Sequence, residues 1–306
     1  MIAQEKHHVG QATRRWIEAA VGPGSRVQSV RRLTGGTSSA IHAVRVQLPG
    51  GTTLDLVIRR WVAPLDGRPD PARVERESRM LLALRESGYL HGPELVAADE
   101  AGEHTDGAPA LLMTRIPGRI LLAPASPLGW LRQMTRELAA IHSLDIESPP
   151  YEPWFGADDL LTKPWRTNTA AWDEAARIVG AGLPAEPAVF LHRDYQHFNL
   201  LWTGQRLSGV IDWTEACRGP REVDVAHCRW NLAVLFSVEM AEEFRLLYES
   251  ESGLRTDPRF DLAELIGYGP WAKVGIPAQV AGRRPVDVEG MDQRVEELLV
   301  SALARC

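Results

Sequence analysis

Cysteine is scarce in this sequence: only Cys217, Cys228 and Cys306 occur among its 306 residues. Three cysteines build no disulfide framework, and such usage is typical of a protein kept in a reducing compartment. Long apolar runs are missing too, so the sequence predicts no membrane-spanning helix. Its first residues also lack the apolar stretch of a signal peptide. We therefore expect a cytoplasmic protein without a membrane partner.

Positive charge is also in short supply. The chain has a formal net charge of −6, which argues against a nucleic-acid-binding protein. The charge is uneven, because residues 1–118 hold 15 Lys+Arg and 13 Asp+Glu (+2) whereas residues 119–306 hold 19 and 27 (−8). A mildly basic first part suits a triphosphate, and an acidic second part suits a cationic small molecule. Ordinary surface variation explains the asymmetry equally well.

Short strands and two helices are predicted for the first third of the chain. Apolar alternation indicates the strands, and capping and glycine signals indicate where the second helix begins and ends. Three consecutive short strands favour a small antiparallel sheet. The predicted helices cover 9–21 and 70–87, and the predicted strands cover 27–33, 41–48 and 54–60 and lie near 95–96 and 110–113.

From Pro127 onward the pattern becomes mainly helical. One buried stripe repeats every three or four residues over 131–141, another helix is predicted over 168–179, and a third begins near Asp224. A loop is expected over 213–222, with further loops near 253–259 and 267–290. An N-terminal antiparallel sheet followed by a mainly helical part indicates the α+β class.

Between the first two strands lies LTGGTSSA, residues 33–40. Glycine turns the backbone at little steric cost, and the amide and hydroxyl donors beside it can cover phosphates. A plain hairpin turn has the same composition, so both interpretations stay open. The phosphate-binding interpretation involves Gly35, Gly36, Thr37 and Ser38.

An arginine and a glutamate occupy positions that require a partner. Arg59 ends the apolar run of the third strand, where its guanidinium either reaches nucleotide phosphates or lies in solvent. Glu77 shares a helical face with Val74 and Leu81, and a carboxylate on an inward face needs a counter-charge. We therefore predict that Arg59 and Glu77 form an ion pair.

Three polar residues stand out over 191–212: Asp194, Asn199 and Asp212. A short predicted hairpin would hold Asn199 and Asp212 side by side, and two oxygen ligands suit Mg²⁺, which also binds substrate phosphates. Asp194 precedes them, where it could orient an attacking hydroxyl and accept its proton. Each residue alone is more often a turn or cap residue. The order His-Arg-Asp, Asn, Asp is, however, the protein-kinase catalytic arrangement.

Taken together, these motifs resemble the aminoglycoside phosphotransferase family of small-molecule kinases, over about residues 25–240. TGGTSSAIHAV is similar to the nucleotide-positioning loop, and VERESRMLLAL is similar to the αC helix, with Glu77 at the ion-pair position. HRDYQHFN and IDW are similar to the catalytic loop and the metal-binding aspartate. The resemblance implies that Asp194 is catalytic and that Asn199 and Asp212 bind Mg²⁺.

Two further motifs carry the resemblance. LLMTRIPG is similar to the family's hinge, which implies that Thr114 and Ile116 bond adenine through their backbones, with Met113 as gatekeeper. GPREVDVAHC is similar to the helix whose aspartate, here Asp224, braces the catalytic loop.

The sequence departs from the family pattern at two cations. Many members have glycine where Arg193 stands, and lysine is usual where Arg59 stands. It departs from protein kinases as well, because only about eleven residues separate Asp212 from the next helix and no Ala-Pro-Glu follows, which leaves no peptide-docking segment. A protein kinase is therefore disfavoured.

The resemblance predicts a bilobal, protein-kinase-like fold: a nucleotide-binding lobe over 1–113, a hinge over 114–118 and a catalytic and substrate-binding lobe over 119–306. ATP and Mg²⁺ would bind between the lobes, and the γ-phosphoryl group would pass to a hydroxyl of a small molecule, such as an aminoglycoside in antibiotic resistance. A macrolide or metabolite kinase, a pseudokinase and a structural protein with fortuitous motifs are the alternatives. Carboxylates that would favour a cationic acceptor are Glu215, Glu222, Asp257 and Asp261.

Overall fold

The chain divides into two compact units. The first comprises Met1–Pro117 and Gly209–Thr214, and the second comprises Gly118–Ser208 and Glu215–Cys306. Asp212 therefore belongs to the first unit, whereas Asp194 and Asn199 belong to the second. The computed structural model describes residues 8–33, 39–62, 71–154, 156–163 and 165–306.

An antiparallel sheet is the main element of the first unit. It contains β1 (Arg26–Arg32), β2 (Ala40–Gln47), β3 (Thr53–Arg60), β4 (Leu95–Asp99) and β5 (Ala110–Thr114), in the order β1-β2-β3-β5-β4. Val44 pairs with Leu56 across β2 and β3, and such apolar cross-strand pairs stabilise a sheet. Gly50 and Gly51 join these strands with φ of +95° and +92°, a conformation that glycine adopts without steric cost.

Two helices accompany this sheet, α1 (Gln11–Val21) and α2 (Pro71–Glu86). Ile17 of α1 packs with the inward residues of β2 and β3 in one apolar cluster. Val74 and Leu81 of α2 are fully buried, and Glu77 lies on the same buried face, as the helical periodicity predicts. Burial of this face therefore fixes the direction in which Glu77 points.

The second unit consists mainly of helices. The central one is Glu222–Leu235, in which every residue is buried. It packs against three other helices, Val238–Ser252, Pro258–Glu264 and Met291–Leu303. A helix enclosed on all sides is positioned by packing rather than by helix propensity. The helices are α3 (Pro127–His142), α4 (Thr169–Gly180), α5 (Glu222–Leu235), α6 (Val238–Ser252), α7 (Pro258–Glu264), α8 (Ala272–Val280) and α9 (Met291–Leu303).

Four short strands surround the segment that carries the predicted catalytic residues. They are β6 (Ala188–Leu191), β7 (Leu200–Thr203), β8 (Arg206–Val210) and β9 (Cys217–Pro220). β6 pairs with β9 in antiparallel register, with Leu191 opposite Cys217. The prediction of a loop over 213–222 is therefore wrong for residues 217–220. The prediction of a loop over 267–290 is wrong as well, because α8 lies within it.

The fold class predicted from the sequence is confirmed: an antiparallel sheet with helices comes first, and a mainly helical part follows. Within the described ranges, no helix is both long and apolar enough to cross a membrane. The segment between β6 and β7 carries Asp194 and Asn199, and α5 carries Asp224.

Candidate active site

Arg59 and Glu77 form the ion pair predicted from the helical periodicity of α2. The Nη1 atom of Arg59 lies 3.0 Å from Oε2 of Glu77, and both side chains are buried. Burial raises the pKa of Glu77, and the guanidinium of Arg59 opposes that rise. Each charge therefore needs the other, because an unpaired charge in this environment would be strongly unfavourable.

The same guanidinium also binds Asp212. Its Nη1 and Nη2 atoms lie 2.7 and 3.3 Å from the two carboxylate oxygens of Asp212, and its Nε donates to the Ser39 hydroxyl at 3.1 Å. The Thr214 hydroxyl is 3.1 Å from Asp212 and 3.2 Å from Glu77. Arg59 thus joins two carboxylates: Nη1 bonds both Glu77 and Asp212, and Nη2 adds a second bond to Asp212. The planar guanidinium allows this two-nitrogen contact with Asp212, whereas lysine would offer a single nitrogen.

The surroundings keep Arg59 charged. Burial lowers its pKa, but the carboxylates of Asp212 and Glu77 outweigh this and raise the pKa above the ordinary arginine value. The guanidinium carbon also lies 4.8 Å from the centre of the Trp61 ring, a favourable cation–π distance. The first unit therefore holds a permanent, oriented positive charge beside an aspartate.

We expect Arg59→Ala to raise the KM for ATP about tenfold and to destabilise the fold by about 3 kcal/mol, since it leaves Glu77 buried without a counter-charge. Arg59→Lys is expected to retain partial activity, because it keeps the charge and loses the fork. Steady-state kinetics and thermal unfolding measure these effects. Arg45→Ala is a matched control, since Arg45 forms an exposed pair with Asp55 on the same sheet. Equal activity of the Ala and Lys variants at position 59 would contradict the assignment.

The predicted adenine-binding residues lie at the end of β5. Met113 is buried and pairs with Val57 of β3 and Leu95 of β4. The Thr114 N–H donates to the Glu94 carbonyl at 2.9 Å, so a base would meet the carbonyl of Thr114 rather than its N–H. Ile116 is partly buried. The predicted phosphate-binding residues Gly35, Gly36, Thr37 and Ser38 lie outside the described residues.

In the second unit, Asp224 holds the loop that follows β6. Its carboxylate accepts hydrogen bonds from the backbone N–H groups of His192 and Arg193, at 2.8 and 2.7 Å. His142 is bonded to Asp224 at 3.1 Å and to the Tyr248 hydroxyl at 2.6 Å. Burial raises the pKa of Asp224, but its hydrogen bonds, chiefly that of His142, bring the pKa below its usual value. The expected brace is therefore present, and His142 is part of it.

This brace holds an unusual backbone conformation. Arg193 has φ of +70°, in the left-handed region that non-glycine residues seldom enter. Glycine adopts this conformation freely, which gives a physical reason for the glycine that many members of the resembled family carry here. The two amide hydrogen bonds to Asp224 offset the strain of about 1 kcal/mol.

Asp194 and Asn199 come together in the loop that Asp224 holds. The Nδ2 atom of Asn199 donates to Oδ2 of Asp194 and to the Asp194 carbonyl, at 2.8 Å in both cases. Gln196 and His227 donate to Oδ1 of Asp194, at 2.6 and 2.9 Å. Burial raises the pKa of Asp194, but the hydrogen bond and charge of His227, together with the hydrogen bond from Asn199, bring the pKa below its usual value. Asp194 is therefore an ionised carboxylate whose Oδ2 accepts one protein hydrogen bond and retains acceptor capacity.

The oxygen groups of Asn199 and of Asp212, which belong to different units, are each suited to a magnesium ion by their chemistry. Because the amide nitrogen of Asn199 is used by Asp194, its carbonyl oxygen is the atom available to a hard cation. Among the residues that the structure describes, no three His, Cys, Asp or Glu side chains form a metal-binding cluster. Mg²⁺ does not require one, because it is usually held by one or two protein groups together with substrate phosphates.

Two residues beside Asp194 were not predicted from the sequence. His227 and Glu264 contact each other and extend the network from Asp194 to Arg193. A signal for His227 was present, because it follows Asp224 by three positions on α5 and therefore shares its helical face. Glu264 ends α7, and its place depends on how the helices of this unit pack.

Comparison with known proteins identifies a family. A model of a phosphotransferase enzyme family matches residues 29–264. Homoserine kinase of Mesorhizobium japonicum is 28% identical over 155 residues, 46% of this chain and 48% of the relative. N-acetylmuramate/N-acetylglucosamine kinase of Neisseria meningitidis is 26% identical over 176 residues, 56% and 50% of the two chains. This chain thus spans about half the length of the curated relatives it matches.

Solved structures share the fold. A thermostable mutant of aminoglycoside phosphotransferase APH(4)-Ia, crystallised with AMP-PNP and hygromycin B, superposes with a TM-score of 0.60, 18% identity and coverage of 95% of this chain and 99% of the other. Macrolide 2′-phosphotransferase MphH of Brachybacterium faecium gives a TM-score of 0.56 and 18% identity, with coverage of 89% and 98%. At this identity the likeness concerns the fold alone.

Proposed function

This chain belongs to the phosphotransferase enzyme family that matches residues 29–264, and we propose that it transfers the γ-phosphoryl group of ATP to a hydroxyl of a small molecule. The observation that carries the proposal is Asp194: an ionised carboxylate in a braced loop, hydrogen-bonded to Asn199. A pseudokinase, which binds nucleotide without turnover, would not need an ionised carboxylate held in this way. The intact set of Asp194, Asn199 and Asp212 therefore disfavours a pseudokinase.

The first unit supplies the nucleotide site in this proposal. Arg59, oriented by Glu77, would bind the phosphates of ATP, and the backbone of Thr114 and Ile116 would bind adenine. Asp212 and Asn199 would hold Mg²⁺, which when bound neutralises charge on the transferred group. The solved relative that holds AMP-PNP supports ATP as the donor. Gly35, Gly36, Thr37 and Ser38 keep their predicted role at the phosphates.

Asp194 would act on the acceptor. The hydroxyl donates its hydrogen bond to the carboxylate, which points the hydroxyl oxygen at the γ-phosphorus. As the new oxygen–phosphorus bond forms and the bond to ADP breaks, the hydroxyl proton passes to Asp194 and then to solvent. A weakly basic carboxylate is sufficient, because phosphoryl transfer depends mainly on positioning and charge neutralisation.

The proposed class of acceptor is based on the net charge of the second part of the chain and on the substrates of similar proteins. The solved complex with hygromycin B and the −8 charge of residues 119–306 support an aminoglycoside or a related amine-bearing acceptor. Two of the candidate carboxylates are already engaged, since Asp257 pairs with Arg259 and Asp261 pairs with Arg305. Curated relatives that are kinases of homoserine and of amino sugars favour a second candidate, the kinase of a metabolite alcohol.

An ADP-release assay over a panel of acceptors tests the proposal. The panel contains aminoglycosides, macrolides, homoserine and N-acetylated amino sugars, each with MgATP. We expect one class to stimulate ADP release at least tenfold over buffer, and EDTA to abolish the stimulation. A cationic acceptor should lose affinity as salt rises, whereas a neutral one should not. Binding of MgATP without turnover on any acceptor would favour a pseudokinase and contradict the proposal.

A further inference from the structure

Four charged side chains form a chain that ends at Asp194, and the three behind Asp194 are buried. Nε2 of His227 lies 2.9 Å from Oδ1 of Asp194, and Nδ1 of His227 lies 3.4 Å from Oε2 of Glu264. Arg193 lies 3.0 Å from the same oxygen of Glu264. The side chains of His227, Glu264 and Arg193 are 5%, 7% and 4% exposed, so water does little to screen these charges.

The contacts of His227 favour its protonated form. Nε2 is hydrogen-bonded to Asp194, and Nδ1 lies at ion-pair distance from Glu264, without hydrogen-bond geometry. Only the imidazolium places a positive charge beside both carboxylates. A neutral ring would turn one nitrogen lone pair toward a negative oxygen. With His227 protonated, two cations balance two carboxylates, and the chain of four side chains is neutral.

The remaining neighbours of His227 agree with a cation. The rings of Trp154 and Trp230 meet the imidazole edge-on, with centroids 5.8 and 5.4 Å away, and supply no competing charge. Tyr151 contacts Glu264 through its hydroxyl at 3.4 Å. Burial lowers the pKa of His227, but Asp194 and Glu264 outweigh it and raise the pKa to about 9.

We propose that His227 is a positioning residue which, as an imidazolium beside Glu264, fixes Oδ1 of Asp194 and leaves Oδ2 to receive the acceptor hydroxyl. Two donors, His227 and Gln196, occupy Oδ1, whereas Oδ2 accepts from Asn199 alone among the residues that the structure describes. The inference rests on the proposed function for its catalytic consequence. The protonation state of His227 is independent of that function.

Arg193 gains a role in this arrangement. Its guanidinium carbon lies 3.7 Å from the centre of the Trp154 ring and 5.0 Å from that of Tyr151, so stacking as well as charge holds it against Glu264. The side chain that replaces the family's usual glycine thus neutralises the carboxylate behind His227. Without that cation, Asp194 and Glu264 would share the single positive charge of His227.

The first experiment measures the protonation state directly. Proton–nitrogen correlation spectra of the full chain with ¹⁵N-labelled histidine give the pKa of each ring, and His227→Gln assigns the signal. We expect His227 to be doubly protonated at pH 7 with a pKa near 9, and Glu264→Gln to bring the pKa down by at least one unit. A neutral ring at pH 7 would overturn the proposal, whether or not the protein is a kinase.

The second experiment separates positioning from simple packing. Glutamine keeps an N–H donor near the place of Nε2, whereas leucine keeps the volume without a donor. With MgATP and water as the acceptor, we expect His227→Leu to lower kcat for ADP release about tenfold at unchanged KM for ATP, and His227→Gln to restore most of it. His104→Leu changes an exposed histidine and serves as the control. Equal kcat values for the Gln and Leu variants would overturn the positioning role.

The pH dependence of thermal stability provides a third test of the protonation state of His227. The folded-state pKa of His227, about 9, is above the unfolded value of about 6.5. Its contribution to stability is therefore complete below pH 6.5 and is lost as pH rises through 9. We expect the Tm of the wild type to fall relative to that of His227→Gln between pH 6.5 and 9.5. A constant difference between their Tm values across this range would contradict the imidazolium.

Discussion

Replacement of Asp194 by alanine is expected to lower kcat about 10²–10⁴-fold while the affinity for MgATP stays within about twofold of wild type. The reason is local. The Asp194 carboxylate contacts Asn199, Gln196 and His227, all of the second unit. Arg59 and Glu77 of the proposed nucleotide site belong to the first. The loss corresponds to about 3–5 kcal/mol of transition-state stabilisation.

The measurement combines single-turnover kinetics with calorimetric titration of MgAMP-PNP. Asp145→Ala is a suitable control, since Asp145 is a fully exposed carboxylate of the same unit. A matching thermal transition would show that the Asp194 variant is folded. Near wild-type kcat in that folded variant would refute the catalytic assignment, and loss of nucleotide binding together with turnover would indicate a structural role instead.

The parts of this site that sequence could predict are those encoded by local spacing. Glu77 follows Val74 by three residues and precedes Leu81 by four, so helix geometry alone places it on the buried face. The alternation in β2 and β3 likewise fixes the side on which Val44 and Leu56 lie. Asp194 and Asn199 are five residues apart in one loop, so their contact needed no knowledge of the tertiary structure.

Elements without a periodic signal were missed. The strand Cys217–Pro220 has the sequence Cys-Arg-Gly-Pro, in which glycine and proline oppose strand propensity; its pairing with β6 overrides that preference. The helix Ala272–Val280 contains Pro277, which reads as a helix breaker. In both cases tertiary packing outweighs the local preference.

The charged chain behind Asp194 illustrates the remaining limit. Arg193, His227 and Glu264 are far apart in sequence and meet only because α5 and α7 pack together. The sequence assigned no function to Arg193, because the short segment after Asp212 predicts no peptide-docking loop that Arg193 could bind. Its contact with Glu264 at 3.0 Å supplies one, and this contact depends on the left-handed backbone that Asp224 stabilises.

Asp212 gives the second large effect, and its substitution must preserve an unusual backbone. Asp212 has φ of +68°, and asparagine is among the few residues that enter this region readily. Asp212→Asn therefore removes the charge while keeping size and backbone. Arg59 and Glu77 remain as a balanced pair, so the fold should persist.

We expect Asp212→Asn to lower kcat by at least about 10³-fold and to weaken binding of MgATP much more than binding of metal-free ATP, because an amide oxygen is a poorer ligand for Mg²⁺ than a carboxylate. Titration of activity against free Mg²⁺ at fixed ATP measures this. Asp55→Asn is the matched control, since it makes the same change in an exposed pair on β3. An unchanged Mg²⁺ dependence in Asp212→Asn would contradict the role of Asp212 as a magnesium ligand. Its contact with Arg59 would then be its role in the proposed nucleotide site.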